Sequence, residues 1–126
     1  SLKDKLLRQL YNRAKGDFFM GIEFQMTDEN LIAVLTGELD HHIAVGLRDE
    51  IDKTYEAFRA RNLIFDFTGL DFMDSAGIGL IMGRYKKVMD KGDITIVGVR
   101  ESVKRILLIS GLHKIVNIYE LKGQEA

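Results

Sequence analysis

The strongest constraint on this fold is one apolar run, Asn62-Leu63-Ile64-Phe65-Asp66-Phe67, taken together with the spacing of the residues after it. The run gives way to a polar turn, and from Ile78 apolar residues recur at three- and four-residue steps. A run this short reads as a buried strand, and the later spacing reads as a helix. The unit recurs along the chain. Strands are expected near 21–27, 31–36, 62–67, 93–98 and 115–119, and helices near 43–59, 76–90 and 101–109. Two strands followed by alternating helices and strands predict an α/β domain, with crossover helices covering a mixed, mostly parallel sheet. The polar stretch Thr27-Asp28-Glu29-Asn30 is brief enough to turn an opening antiparallel hairpin.

The helices carry recognisable stripes. Ile43, Ala44, Leu47, Ile51, Tyr55 and Phe58 form the expected apolar face of the first, and Ile78, Ile81, Met82, Tyr85, Val88 and Met89 that of the second. Gly79, Leu80, Gly83, Arg84 and Lys87 then fall on the opposite side of the second helix. Leu80 there has two readings, a contact residue for a partner or an ordinary partly buried leucine. Gly92 and Gly111 come after helices, where a left-handed residue ends a helix without steric cost.

Composition excludes more than it assigns. A chain of 126 residues fits one domain with a substantial core. With Lys+Arg 18 against Asp+Glu 19, the net charge of −1 gives no bulk attraction to nucleic acid or to a membrane. Without cysteine there is no disulfide framework, zinc ribbon or thiol chemistry. No apolar run approaches the roughly 18 residues of a membrane span, and the start lacks a signal-peptide core. A cytoplasmic location is expected.

The turn Phe72-Met73-Asp74-Ser75-Ala76-Gly77-Ile78-Gly79 places a hydroxyl, Ser75, at or beside the first turn of the second helix. Free backbone N–H groups and the positive end of the helix dipole meet there. Ser75 is therefore either a helix cap or a position able to carry a phosphate. Asp40, ahead of the first helix, reads as its N-cap. The adjacent His41 and His42 lack a clustered third ligand, so no metal is expected, and no cofactor is expected either. Gly77, Gly79 and Gly83 do not form a nucleotide loop, because Met82 stands where G-x-G-x-x-G needs its last glycine and the P-loop lysine is missing. Their use is close backbone approach, to the sheet or to a partner. A hydrolase built on Ser75 is disfavoured, since Met73 and Asp74 break the G-x-S-x-G elbow. Asp66, at the end of its strand, lacks the paired carboxylate of an aspartyl-phosphate site.

Leu35-Thr36-Gly37-Glu38-Leu39-Asp40-His41-His42, the Ser75 turn, Gly83-Arg84-Tyr85-Lys86, and the later Val103-Lys104-Arg105-Ile106-Leu107 and Ser110-Gly111-Leu112-His113-Lys114-Ile115 together resemble the STAS domain of anti-sigma factor antagonists. The likeness covers about residues 21–119 and is strongest to the sporulation branch. The resemblance implies a mixed sheet with helices and a regulator that is not an enzyme. It implies binding to an anti-sigma factor serine kinase, with release of the sigma factor that kinase holds. It also implies phosphorylation by that kinase on Ser75, ending the interaction until a serine phosphatase removes the phosphate. Asp40, Asp71, Asp74, Ser75, Ala76, Gly77, Gly79, Leu80 and Gly83 are the expected partner-binding residues. Ala76 stands where the sporulation branch carries a second serine, which leaves one hydroxyl in the turn, with Thr68 upstream on the same loop. A STAS module of another signalling assembly is the alternative, and a small hydrolase using Ser75 a more remote one.

Residues 1–20 precede the family pattern, and the domain is expected over 21–126. Leu6, Leu7, Leu10 and Tyr11 lie along one side of a basic helical pattern. Either this is a real helix, packing on the domain or joining two copies weakly through residues 2–15, or the cellular start is Met20 and the preceding residues, Ser1 and Leu2 among them, are an expression artefact.

Overall fold

The computed structural model describes residues 21–122, and the expected helix over residues 2–15 and start at Met20 lie outside them. Strands β1 (Gly21–Thr27) and β2 (Asn30–Leu39) form the expected antiparallel hairpin, closed by Asp28 in a left-handed conformation at φ 52°. Helix α1 (His41–Ala57) leads to β3 (Asn62–Met73), α2 (Ser75–Val88) to β4 (Ile94–Val99), and α3 (Glu101–Ser110), with a 3-10 turn at Leu112–Lys114, to β5 (Asn117–Glu120). The sheet order is β1-β2-β3-β4-β5, with β2 to β5 mutually parallel. Right-handed crossovers that each step one strand in the same direction lay all three helices on one face.

Burial reflects that arrangement. Leu31, Ala33 and Leu35 of β2, Leu63, Phe65 and Phe67 of β3, and Ile94 and Ile96 of β4 are sealed beneath the helices. The alternate side chains, Ile32, Val34, Ile64, Asp66, Thr95 and Val97, point the other way and are half-buried. Leu47 and Ile51 of α1, Ile81 and Val88 of α2, and Val103 and Leu107 of α3 complete the core.

Several expectations need correction. Strand β3 does not stop at Phe67, and Thr68 belongs to the strand, not to the serine loop. The pairing slips between Val34 and Thr36, where β3 carries one extra residue. The Asp66 carboxylate accepts from the Thr68 N–H at 3.0 Å and supports that bulge locally. Gly69 leaves room for the Thr36 side chain, and buried Leu70 and Met73 resume the core beyond it. Strand β2 likewise runs past Thr36 to Leu39.

The buried face of α2 is Gly77, Leu80, Ile81, Arg84 and Val88, rotated from the expected stripe, and Met82 and Met89 are exposed. Leu80 is thus an interior residue, 4% exposed. The reason is Arg84. Its guanidinium is buried against Asp52 of α1, so an arginine occupies what the apolar pattern alone assigns to solvent.

Gly111 does end α3 in the left-handed region at φ 82°, but α2 ends at Met89 in ordinary helical geometry, and Gly92 is not left-handed. Gly92 is needed for space, since a Cβ there would run into the Arg61 carbonyl. Finally, Phe58 lies just past the end of α1 and is half-buried, while Thr54 joins the buried face.

Gly98 is the residue most tightly required by β4. It sits at φ 70° beside the slip in β4–β5 pairing, and a Cβ would lie 2.9 Å from the Thr68 backbone nitrogen. Gly98→Ala is expected to lower stability by about 2–3 kcal/mol, because strain and a backbone collision add; urea denaturation with an unchanged m-value checks this.

Candidate functional site

Parallel strands fed by right-handed crossovers start every helix at the same end of the sheet. Here α1, α2 and α3 begin directly after β2, β3 and β4, so their N-termini crowd one rim. Each helix start leaves unpaired N–H groups and a partial positive charge.

Two aspartates organise that rim. Asp40 is the N-cap of α1, its Oδ1 accepting from the Ile43 N–H at 3.1 Å. Asp74 is the N-cap of α2, its Oδ1 accepting from the Ala76 N–H at 2.8 Å. The other oxygen of Asp74 reaches across and accepts from the His41 N–H, the first residue of α1, at 3.2 Å. The Asp74 N–H in turn donates to the Leu39 carbonyl at 3.3 Å. One carboxylate therefore serves two helix starts, and the Asp40 loop lies beside the serine turn.

Because Asp74 is the cap, Ser75 is not. It is the exposed first residue of α2, and its hydroxyl makes no hydrogen bond to the other described residues. Asp71 is exposed on β3, toward α3, where its carbonyl accepts from the Ser102 hydroxyl at 3.3 Å. The rim thus holds a free hydroxyl among helix N-termini, flanked by Asp71, Asp74 and the 47% exposed Phe72.

The three glycines of α2 divide into two kinds. Gly77 is buried because a Cβ there would meet Met73 and Leu39, so it lets the helix start settle on the sheet. At Gly79 and Gly83 a Cβ would meet nothing within 4 Å. These two open a cleft of about 440 Å³ between α1 and α2, lined by Ala44, Val45, Arg48, Ala76, Gly79, Leu80, Gly83 and Arg84. Leu80 contributes to its wall from the interior and is not a projecting contact.

Beneath the cleft, Arg84 Nε stands 2.7 Å from Asp52 Oδ1 but off the line of its own N–H, so that contact is ionic. Hydrogen bonds run from Nη2 to Asp52 Oδ2 at 3.1 Å and from Nη1 to the Leu80 carbonyl at 3.2 Å.

The sequence pattern missed Val45, 55% exposed, together with Arg48 and the Arg84–Asp52 pair. The available signal was a valine one position off the Ala44, Leu47, Ile51 stripe. Among the described residues there is no group of three metal-ligating side chains, and no described helix is long and apolar enough to cross a membrane.

The sequence and fold are similar to those of known proteins. The STAS domain family model matches residues 21–124. An anti-sigma F factor antagonist from Paenibacillus polymyxa is 36% identical over 104 residues, covering 80% of this chain and 89% of that protein. Another from Lysinibacillus sphaericus is 32% identical, covering 69% of this chain and 75% of that protein. The structure of the Bacillus cell fate determinant SpoIIAA in its phosphorylated form is 28% identical, with a TM-score of 0.63, and covers 78% of this chain and 90% of that one. The chain belongs to the STAS domain family, in the group of anti-sigma factor antagonists.

Asp74→Ala removes the acceptor of two N–H groups and is expected to cost about 2 kcal/mol, whereas Asp74→Asn keeps one oxygen and costs about half of that. Asp52→Asn, which strands the buried guanidinium, is expected to cost about 2–3 kcal/mol. Chemical denaturation of the three variants against the parent checks both statements.

Proposed function

We propose that this protein antagonises an anti-sigma factor that is itself a serine kinase, docking on it through the rim around Ser75 and the cleft beside it. Docking releases the sigma factor. The kinase transfers the γ-phosphoryl group of ATP to the Ser75 hydroxyl, with ADP leaving, and the phosphorylated form lets go. A serine phosphatase hydrolyses the ester and restores the active form. In this reading the protein is a substrate and a partner, and catalysis belongs to the other two proteins.

The observation that carries the proposal is the exposed Ser75 hydroxyl, uncommitted to capping, on the first turn of α2. A phosphate there adds about −1.5 to −2 charges, which the helix N-termini tolerate within the domain. The same charge, placed beside Asp71 and Asp74 and pressed against a partner, costs several kcal/mol through like-charge repulsion and desolvation. The phosphorylated rim is therefore excluded from the interface while the fold stays intact. Support also comes from SpoIIAA, a relative known in a phosphorylated form.

The open glycines favour docking over a purely structural role. Helix-interior glycine is unfavourable by roughly 0.5–1 kcal/mol against alanine, and nothing in the described domain needs Gly79 or Gly83 for space. Their absent side chains are explained by a partner that approaches the helix backbone.

Incubation with the cognate anti-sigma kinase and ATP, followed by mass mapping, is expected to find phosphate on Ser75 and to weaken kinase binding by at least about 100-fold. Phosphate on Ser75→Ala, or equal binding of the two forms, would refute the switch. Gly79→Ala and Gly83→Ala are each expected to stabilise the free domain by about 0.5–1 kcal/mol while weakening kinase binding, read by thermal melting and calorimetric titration side by side.

A further inference from the structure

The two edges of the sheet are finished differently. At one edge β5 is four residues long, its pairing with β4 slips between Ile96 and Val99, and the Lys104 ammonium is paired with Glu120 on it. A short, irregular, charged edge resists further pairing. At the other edge β1 runs for seven residues in unbroken register with β2, from Gly21↔Thr36 to Thr27↔Asn30, and carries no proline, lysine or bulge. Among the described residues nothing pairs with its outer side.

The register fixes which backbone groups are left over. A two-residue turn, Asp28-Glu29, closes the hairpin on the hydrogen-bonded pair Thr27↔Asn30, and from there hydrogen-bonded and non-hydrogen-bonded pairs alternate. Gly21, Glu23, Gln25 and Thr27 therefore direct their N–H and carbonyl groups at β2. Those of Ile22, Phe24 and Met26 point out from the edge. The side chains of Ile22 and Phe24 are buried in the core and that of Met26 packs against it, while Glu23 and Gln25 are exposed on the opposite face.

We infer that β1 is a self-pairing edge, to which β1 of a second copy of this chain adds in antiparallel orientation with Phe24 opposite the partner's Phe24. Symmetry and charge select this occupant and this register. Outward backbone groups must meet outward backbone groups, so a well-overlapped pair has its two-fold axis at Glu23, at Phe24 or at Gln25. An axis at Glu23 sets two carboxylates face to face at the closest approach an antiparallel ladder offers, and an axis at Gln25 leaves Gly21 and Ile22 without a strand partner. An axis at Phe24 overlaps the whole strand. Ile22 then faces the partner's Met26, Glu23 the partner's Gln25 and Gly21 the partner's Thr27, so every outward N–H and carbonyl of β1 is paired and no like charges stand opposite.

The surroundings suit the approach. The main strand contact of α1 is β2, one strand in from the edge. Because the added strand is antiparallel, the two Ser75 rims lie at opposite ends of the joined sheet and both stay open. The pairing uses the long edge of each chain and leaves the short β5 edges outside, so assembly closes at two copies.

The chain contains no cysteine, so introduced thiols report on this edge without background. Positions 23 and 25 form non-hydrogen-bonded pairs across the joined edge, with Cα atoms about 4.5 Å apart, within reach of a disulfide. When full-length Glu23→Cys and Gln25→Cys proteins are mixed and oxidised, intact mass is expected to show them cross-linked to each other at least about tenfold more than either to itself. Sedimentation equilibrium of the unmodified chain is expected to show a monomer–dimer equilibrium. Gln25→Glu, which sets like charges opposite at both symmetric positions, weakens the dimer about five- to tenfold, and Glu23→Lys added to it restores the dimer. Both side chains are exposed, so circular dichroism of the variants stays that of the parent. A monomer mass at every concentration up to about 1 mM overturns the inference. So does a dimer indifferent to Gln25→Glu, or a Glu23→Cys protein that cross-links to itself in preference to Gln25→Cys.

Discussion

The Asp74 carboxylate is the interaction on which the rim depends. Two helices that start side by side bring two positive dipole ends together, an arrangement that repels unless a negative charge lies between them. Asp74 supplies it, with one oxygen on the Ala76 N–H and the other on the His41 N–H. Lower down the same pair of helices, the Asp52–Arg84 ion pair fixes their spacing a second time. The cleft floored by Leu80 and opened by Gly79 and Gly83 lies along the pair held by these ties. These polar contacts thus help to set its shape, together with buried Ala44 and Leu80 in its wall.

This division of labour explains the neighbours of Ser75. A serine that also capped its helix would have to surrender that bond on modification, and the helix start would weaken with it. With Asp74 holding the cap, the hydroxyl is left to solvent, and a change at that hydroxyl is felt on the surface before it is felt in the fold. Gly77 contributes by bringing the helix start down onto Met73 and Leu39, which keeps the turn short and the hydroxyl at the rim.

The fold was largely legible because its strands and helices have different periods. The opening hairpin, the element order and the positions of all three helices can be read from apolar spacing and turn chemistry alone. The misreadings share a physical cause, which is that a residue type has more than one use. Thr68 and Gly69 look like the end of a strand, but a bulge steadied by Asp66 carries the strand past them to Met73. Arg84 looks like a solvent residue, but Asp52 on another helix makes its burial tolerable, and the whole buried face of α2 turns with it. Gly92 looks like a left-handed stop, but it makes room for the Arg61 carbonyl. At the rim, Asp40 and Ser75 could each be placed at a helix start from sequence. The bridge from Asp74 to His41 could not, because its partners are 33 residues apart and meet only when β2 and β3 pair.

The sheet order has a consequence for how the chain assembles. Spatial order equals sequence order, β1 to β5, and every connection runs to the adjacent strand. Each strand leaving the ribosome thus finds its partner already made and still exposed, with no gap to be held open for a later segment. Long closures, the slow and aggregation-prone step of many parallel sheets, are kept to one crossover at a time. The rim is completed in the same sequence: the start of α1 waits, with its His41 N–H unpaired, until β3 delivers Asp74.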